Sequence, residues 1–295
     1  MKISVAITSF NEEKNIERCL KSVKDIADEI IIVDEKSTDN TVKIAKKYTD
    51  KIFLVDHDPM FHKHKQLALD KCTNEWILQI DCDEELSPEL IEEINNLDFT
   101  AEAYKIPRKS LIFGKWFEHT GWYPDYQVKL VKKGAYYPCK SLHEDMVVDG
   151  EIKILTNDLL HYNYASVEQF IDRMNKYTTD DAEFINKPVV WTDAIKFPVD
   201  EFLKRFFFWE GYKDGLHGLV LSLLKAADRE IVFAKLWERQ GHPELVSGSI
   251  LKLFYQEVKK STRDYNYWKM VIEQNPMKKL ILRCRNKFGM TFSRI

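Results

Sequence analysis

The sequence has few cysteines and no long apolar run. Its five cysteines are odd in number and show no C-x-x-C spacing, which argues against both a disulfide framework and a zinc site. No stretch of about 18 apolar residues occurs, so no membrane span is expected. The first residues, Met1 to Thr8, are too few and too strand-like for a signal peptide. A reducing cytosol is the simplest location for such a chain.

Glycine is missing from the first turn, where nucleotide-binding folds commonly have it. Residues Thr8 to Glu13 contain no glycine and include two acids, Glu12 and Glu13, where a helix should begin. Acids at a helix start would repel a pyrophosphate. This disfavours a G-x-G-x-x-G dinucleotide fold and a P-loop. The acids could instead accept hydrogen bonds from ribose hydroxyls or a base N–H.

Net positive charge is concentrated at the carboxyl end. The net charge of −3 gives no overall nucleic-acid character, but residues 251–295 hold eleven Lys or Arg against three acids, a balance of +8. The first 250 residues therefore sum to −11. The basic tail could hold the protein on anionic lipid headgroups. Nucleic-acid binding is the rival interpretation, but no known nucleic-acid module accompanies the charge, so nucleic acid is not expected as a partner.

Strand-like and helix-like patterns alternate over the first hundred residues. β-rich runs at 2–8, 30–34, 52–55 and 76–81 are separated by helical stripes, the first of which contains Ile16, Cys19, Leu20 and Val23. The alternation predicts an α/β fold with a parallel sheet covered on both faces. Ligands of such sheets bind at the carboxyl ends of the strands, where Thr8, Asp34 and Asp81 lie. A further strand is predicted over 103–108, with loop from Lys109 to Trp122.

An acidic run ends the fourth predicted strand. Trp76 to Ile80 leads into four acids within five positions, beginning with Asp81 and Asp83. Because alternate side chains of an extended segment share a face, these two carboxylates point the same way. Hard oxygen ligands so placed suit Mg²⁺ or Mn²⁺, which take further ligands from substrate phosphates. The alternative is a strand end that carries acids only for solubility.

Three motifs resemble those of family 2 glycosyltransferases with the GT-A fold. They are Ser4 to Glu13, Ile31 to Asp34 followed by Ser37 to Thr41, and Asp81 to Glu84. Within that family the chain is most similar to the branch that includes lipooligosaccharide core β-glucosyltransferases, over about residues 1 to 240. The resemblance implies a mostly parallel sheet flanked by helices, with a C-terminal helical extension.

The resemblance also implies roles for individual residues. The nucleoside pocket would be lined by Thr8, Phe10, Glu12 and Asp34. Asp34 would read the base, Asp81 would face the ribose and metal, and Asp83 would bind the metal and the donor diphosphate. Lys65 would approach that diphosphate. His161 is a candidate second metal ligand, although a histidine after an apolar pair is commonly structural.

The acceptor side is predicted from two later segments. Trp122 and Tyr126 either stack on a sugar face or pack in the core. Lys129 stands where the similar enzymes usually have arginine, and lysine lacks the planar guanidinium that binds an anion through two hydrogen bonds. An inverting transfer needs a general base, and Glu144 is the candidate. Asp145 is the fallback.

The remaining histidines receive weaker interpretations. His143 would orient the base or contact the acceptor, or only cap a loop. His57, His62 and His64 are interpreted as solvated loop residues, because no i, i+4 pair with an acid accompanies them.

The predicted domain organisation follows from these patterns. Residues 1–165 form the GT-A catalytic domain, divided into a nucleotide-binding half, 1–100, and an acceptor half, 101–165. Residues 166–240 form a helical cap or extension, with helices from Glu201 to Trp237 broken near Gly211, Gly215 and Gly218. Within it, 202–209 mixes aromatic and basic residues, as in helices that lie on a bilayer or that pack an appendage onto a sheet. Residues 241–295 form a basic, helical tail.

Together these features predict a metal-dependent inverting hexosyltransferase. Its donor would be a nucleotide-diphosphate sugar, a UDP-sugar by preference, and its acceptor a lipid-linked or cell-surface glycan such as lipopolysaccharide core. It would be cytoplasmic, with peripheral contact to anionic membrane. The alternative is a non-catalytic nucleotide- or glycan-binding module recruited by its basic tail, but a pure binder has no reason to keep Asp34, Asp83 and Glu144 together. A nucleotidyltransferase is disfavoured, because it normally has a basic, glycine-rich first turn for a triphosphate.

Overall fold

Strands and helices alternate through the first hundred residues, as predicted. The computed structural model describes residues 1–57, 62–137, 146–242 and 250–288. The chain divides into two units, Met1–Trp116 with Trp122–Ala165, and Phe117–Gly121 with Ser166–Ile295. The helices of the first unit are α1 Ile16–Val23, α2 Thr41–Ala45, α3 His62–Lys71 and α4 Pro88–Asn95. Its strands are β1 Ile3–Ser9, β2 Glu29–Asp34, β3 Ile52–Leu54, β4 Trp76–Asp81, β5 Glu84–Leu86, β6 Ala103–Ile112, β7 Lys115–Trp116, β8 Asp125–Lys132, β9 Tyr136–Tyr137, β10 Val147–Val148, β11 Ile152–Ile154 and β12 Leu159–Tyr164.

One large mixed sheet forms the centre of the first unit. Its strand order is β3-β2-β1-β4-β8-β6-β12-β5, with β7 and β11 paired to β6. The strands β1 to β4 pair in parallel, whereas β8 runs antiparallel to both β4 and β6. Strands β1, β2 and β4 are buried along almost their whole length, because both faces of a parallel sheet are covered. The predicted α/β class, with a mostly parallel sheet flanked by helices, is confirmed.

Local sequence signals account for the first helices. The α1 stripe of Ile16, Cys19, Leu20 and Val23 is buried, as its spacing predicts. At the start of α4, the Ser87 side chain accepts a hydrogen bond from the Leu90 backbone N–H at 3.1 Å, and proline follows at the first helical position.

Strand β6 continues beyond the predicted end at Arg108. It runs to Ile112 because β12 pairs with it in parallel from Arg108 to Ile112, and β7 pairs with its last two residues. The predicted loop over 109–122 is therefore wrong at its beginning. Its first residues are held in the sheet by a strand about fifty positions further along the chain.

A buried glutamate at the start of β2 ties three segments of the sheet together. The Glu29 carboxylate accepts hydrogen bonds from the Ser4 hydroxyl at 2.5 Å, the Lys51 ammonium at 2.5 Å and the Thr73 backbone N–H at 2.7 Å. Burial alone would raise the pKa of Glu29, but these donors outweigh burial and lower it from 4.5 to about 2. The ionised carboxylate is thus stabilised by folding.

Glu29→Gln should lower the free energy of unfolding by about 2 kcal/mol at neutral pH, because the folded-state pKa lies below the unfolded one. A depressed carboxyl pKa contributes stability above pH 4.5, and the contribution disappears as the pH falls toward 2. Urea unfolding of the variant and the wild type across this range measures it. Glu17→Gln, at an exposed carboxylate 3.7 Å from Lys21, is the control and should change stability by less than about 0.5 kcal/mol. A Glu29 effect no larger than that of Glu17 would contradict the assignment.

Helices form the second unit. They are α5 Val167–Phe184, α6 Asp193–Leu203, α7 Gly215–Arg239, α8 Ile250–Ile272 and α9 Pro276–Phe288, with a π-helical turn at Lys204–Phe208 and a 3₁₀ turn at Gly211–Asp214. No helix in the described ranges is long and apolar enough to cross a membrane.

The predicted break at Gly218 is wrong, because this residue lies inside α7. A Cβ at Gly218 would meet the carbonyl oxygen of Gly211 at 1.9 Å, so the glycine permits close packing of the helix on the 3₁₀ turn. The aromatic segment before that turn is mostly packed within the same unit. Phe207 is 5% exposed and stacks on Trp268 of α8 with ring centroids 6.3 Å apart, whereas Phe208 is 61% exposed.

Candidate functional site

The carboxyl ends of three parallel strands bring predicted site residues together. In the register of β1, Ser9 lies beside Asp34 of β2, and Thr8 lies beside Asp81 of β4. Ligands of open α/β sheets bind at this edge. The sheet thus places Thr8, Asp34 and Asp81 side by side, as the strand pattern predicts.

The Asp34 carboxylate is fully buried and already well supplied with donors. It accepts hydrogen bonds from the Ser9 hydroxyl, the Ser37 backbone N–H and the Ser37 hydroxyl, each at 2.7 Å. Because a carboxylate offers about four lone-pair sites, about one remains for a ligand. In this arrangement Asp34 mainly fixes the turn that follows β2.

That turn is joined to the turn after β1 by hydrogen bonds. The Asn11 backbone N–H donates to the Ser37 hydroxyl at 2.8 Å, and the Glu12 backbone N–H donates to the Thr41 hydroxyl at 2.7 Å. The Glu12 side chain accepts from Asn15 at 2.8 Å. The glycine-free first turn is therefore shaped by side chains of the second motif.

Asp81 lies between two lysines. Its Oδ1 is 2.6 Å from the Lys65 ammonium and its Oδ2 is 3.1 Å from the Lys129 ammonium. Burial opposes ionisation of Asp81, but Lys129 and Lys65 outweigh it and hold the pKa of Asp81 well below its usual range. Asp81 is thus an anion that two cations already neutralise. The Lys65 side chain is 26% exposed and the Lys129 side chain only 4%.

Lys129 also belongs to a buried charge cluster, which consists of Asp81, Glu84, Arg108, Asp125 and Lys129. Its ammonium lies 2.7 Å from Glu84, a residue with no exposed surface, and Arg108 approaches the other oxygen of Glu84 at 3.5 Å. Burial would lower the pKa of Lys129, but Asp81 and Glu84 raise it. The lysine that replaces the expected arginine therefore bridges two carboxylates inside the sheet.

Asp83 and His161 face each other beside this cluster. His161 Nε2 is 3.5 Å from Asp83 Oδ2, and the other ring nitrogen is 3.2 Å from the Ser110 hydroxyl. The Tyr162 backbone N–H donates to the Asp83 carbonyl at 2.8 Å. The structure thus brings together the two residues predicted as metal ligands, which are 78 positions apart in the sequence.

This pair fits a divalent cation that takes most of its ligands from elsewhere. Within 1–57, 62–137, 146–242 and 250–288, no three His, Cys, Asp or Glu side chains are grouped as a metal site. One carboxylate and one imidazole nonetheless suit Mg²⁺ or Mn²⁺ when water and substrate phosphates complete the coordination. Among the described residues, Asp83 and His161 do not form a complete coordination shell by themselves.

The interpretation of the early histidines as solvated loop residues is wrong for His64, whereas His57 does lie in an exposed loop. Both ring Nδ1 atoms contact the buried Glu35 carboxylate, His57 at 2.5 Å and His64 at 2.9 Å. His64 lies in α3 and is 8% exposed. His57 stacks on Phe10, with ring centroids 4.7 Å apart. The sequence signal was weak, since Glu35 precedes these residues by 22 and 29 positions.

The predicted acceptor residues are only partly described. Trp122 is half-buried, with its ring edge-on to Tyr164 at a centroid distance of 6.3 Å. Tyr126, on β8, is 40% exposed. His143 and the two candidate bases, Glu144 and Asp145, lie outside the described residues.

The chain is similar to known glycosyltransferases. The model of the family described as Glycosyl transferase family 2 matches residues 4–139. The chain is 31% identical over 254 residues to Uncharacterized glycosyltransferase RP128 of Rickettsia prowazekii, which covers 80% of this chain and 86% of that protein. It is 27% identical over 252 residues to Lipopolysaccharide core biosynthesis glycosyltransferase LpsC of Rhizobium meliloti, covering 81% and 93%.

Among solved structures, S. aureus TarS 1-349 in complex with UDP matches with a TM-score of 0.41 and 17% identity, over 85% of this chain and 95% of that chain.

Proposed function

The chain belongs to glycosyl transferase family 2, and we propose that it is an inverting, metal-dependent enzyme that uses a nucleotide-diphosphate sugar. We further propose a UDP-sugar as donor and a hydroxyl of a lipid-linked or cell-surface glycan, such as lipopolysaccharide core, as acceptor. The printed name of the LpsC relative supports that class of acceptor. The observation that carries the proposal is the Asp83 and His161 pair, beside the ion pair of Lys65 with Asp81, at the carboxyl end of β4.

Asp83 and His161 are the residues that would hold Mg²⁺ or Mn²⁺. When bound there, the ion supplies positive charge where the departing diphosphate becomes negative. Ser110 orients the His161 ring through Nδ1, and a hydrogen bond of this kind fixes which ring nitrogen is available to a ligand.

Lys65 is the proposed diphosphate ligand of the protein itself. Its ion pair with Asp81 is partly exposed, so the ammonium can turn to a phosphate while Lys129 continues to neutralise Asp81. Thr8, Phe10, Glu12 and Asp34 would line the nucleoside pocket, with Asp81 facing the ribose.

On the acceptor side, Glu144 is proposed as the general base, with Asp145 as the fallback and His143 beside it. Tyr126 offers an exposed ring for a sugar face, and Trp122 a half-buried one. Residues 1–165 are proposed as the catalytic domain, 166–240 as a helical extension, and 241–295 as a basic tail.

The proposed location is the cytoplasm, with peripheral contact to anionic membrane. Residues 251–295 carry a charge of +8. Tyr267 and Phe208, with exposed fractions of 50% and 61%, add aromatic side chains of the kind found at bilayer interfaces.

Glu144→Gln should bind donor normally but transfer sugar at least about a hundredfold more slowly, because the amide cannot take a proton from the acceptor hydroxyl. Donor affinity from calorimetry and kcat from a transfer assay separate the two effects. Asp145→Asn serves as the comparison. If Glu144→Gln transfers normally and Asp145→Asn does not, the base is Asp145.

A panel of nucleotide sugars tests the proposed function itself. Each donor is incubated with the protein and Mn²⁺, and release of the nucleoside diphosphate is measured with and without a lipopolysaccharide core acceptor. We expect one donor to be consumed, only with metal and faster with acceptor. Consumption of none across uridine, guanosine, adenosine and cytidine donors would contradict the proposal.

A further inference from the structure

A single buried carboxylate holds two imidazole rings beside the strand ends. Glu35 is 6% exposed, and its two oxygens each contact one histidine, His57 and His64. The Glu35 backbone N–H donates to the Ser9 carbonyl at 2.9 Å, which fixes the residue to the end of β1. Such an arrangement orients the rings strongly, because a buried carboxylate needs these donors.

The two rings differ in what they can reach. His64 is buried, whereas the His57 side chain is 54% exposed. The His57 ring stacks on Phe10, itself 42% exposed, with an interplanar angle of 25°. A second planar ring can share the exposed Phe10 face by lying edge to edge with the His57 ring.

The contact with Glu35 determines which nitrogen of the His57 ring is the donor and which is the acceptor. A carboxylate only accepts hydrogen bonds, so Nδ1 of His57 must carry the hydrogen that faces Glu35. The opposite nitrogen, Nε2, is then an acceptor in the neutral ring. His57 therefore adds one acceptor, in the plane of its own ring, to the stacking face that Phe10 provides.

The nearby carboxylate of Asp34 is poorly suited to the same task. It has no exposed surface and already accepts three hydrogen bonds from Ser9 and Ser37. Polar recognition of a ring stacked at Phe10 thus needs another group from the same turns.

We propose that His57, stacked on Phe10 and held by Glu35, selects the nucleobase of the donor. Its Nε2 accepts a hydrogen bond from a ring N–H, such as the imide N–H of uracil. Cytosine has the same size but presents a lone pair at that ring position, so it loses this bond. The proposal rests on the proposed function, since it assumes that a nucleoside diphosphate binds at this edge of the sheet.

Binding of UDP and CDP, measured by calorimetry with Mg²⁺, tests the selection without reference to turnover. The wild type should bind UDP about tenfold more tightly than CDP. His57→Phe keeps a flat ring but removes Nε2, so UDP affinity should fall about tenfold while CDP affinity stays within about twofold. Phe10→Ala removes the stacking face and should weaken both ligands.

His242→Phe is the matched control. His242 is likewise an exposed histidine stacked on an aromatic ring, that of Trp237 at a centroid distance of 4.3 Å, but it lies in the second unit. It should leave both affinities unchanged.

The binding results distinguish a failure of base selection by His57 from a failure of the proposed function. If the wild type prefers UDP and His57→Phe keeps that preference, His57 does not select the base, and the proposed function stands. Equal wild-type affinities for UDP and CDP would overturn the selection in the same way. If the wild type binds neither these two nor GDP nor ADP, the proposed function fails together with this inference.

Discussion

Lys129→Met should lower the free energy of unfolding by about 3–5 kcal/mol, which is the usual cost of removing one partner from a buried ion pair. The methionine fills a similar volume but leaves Arg108, at 3.5 Å, as the cation beside Glu84 and Lys65 as the cation beside Asp81. The remaining carboxylates would be buried with too little positive charge. Urea unfolding monitored by tryptophan fluorescence measures the change.

Lys132→Met is the matched control, because Lys132 lies on the same strand. Its side chain is 46% exposed and 3.7 Å from the exposed Glu75, and such surface pairs contribute at most about 1 kcal/mol. Lys129→Arg keeps the charge and should retain most of the stability. A Lys129→Met variant as stable as Lys132→Met would show that the buried charge cluster does not stabilise the sheet.

The cluster also implies a direction of pH dependence. Burial raises the pKa of Asp81, but Lys129 and Lys65 lower it well below 3.8. The stabilisation is therefore complete above pH 3.8 and is lost as the pH falls below that value. The stability difference between the wild type and Lys129→Met should accordingly shrink on acidification and not on raising the pH from 5 to 8.

Asp83→Ala should reduce transfer at least about a thousandfold, because a cation that neutralises the leaving diphosphate supplies several kcal/mol to the transition state. The fold should persist, since the Asp83 side chain is not part of the buried charge cluster. Measured kcat at saturating Mn²⁺ and donor reports the loss, and circular dichroism reports the fold.

Glu85→Ala is the control for that prediction. Glu85 belongs to the same acidic run but pairs with Arg18 at 3.7 Å and accepts from the Tyr162 hydroxyl at 2.8 Å. It should keep transfer within about threefold. Normal transfer by Asp83→Ala at saturating donor would remove this carboxylate from the mechanism.

Local patterns were sufficient to predict the first strands and helices. The α1 stripe and the strand that ends at Asp81 both depend on neighbours within a few positions, and both are found as predicted. The common edge of Thr8, Asp34 and Asp81 followed from the parallel arrangement alone. These features need no knowledge of distant contacts.

Contacts between distant segments could not be predicted in this way. Lys129 meets Asp81 and Glu84 because β8 runs antiparallel beside β4, 45 to 48 positions away in the sequence. One signal was available, since a lysine between Val128 and Leu130 in a buried strand requires acidic partners. The sequence alone did not say which acids. Glu35 gave even less warning, because its two histidines lie in different segments.

The central claim is that Asp83 and His161 hold the divalent cation that accompanies the donor diphosphate. Crystals of the wild-type protein soaked with UDP and Mn²⁺, with diffraction recorded at the manganese absorption edge, test it most directly. We expect one anomalous peak within about 2.0–2.4 Å of an Asp83 oxygen and of His161 Nε2, in contact with the diphosphate. Bound UDP with the peak elsewhere, or with none, would contradict it.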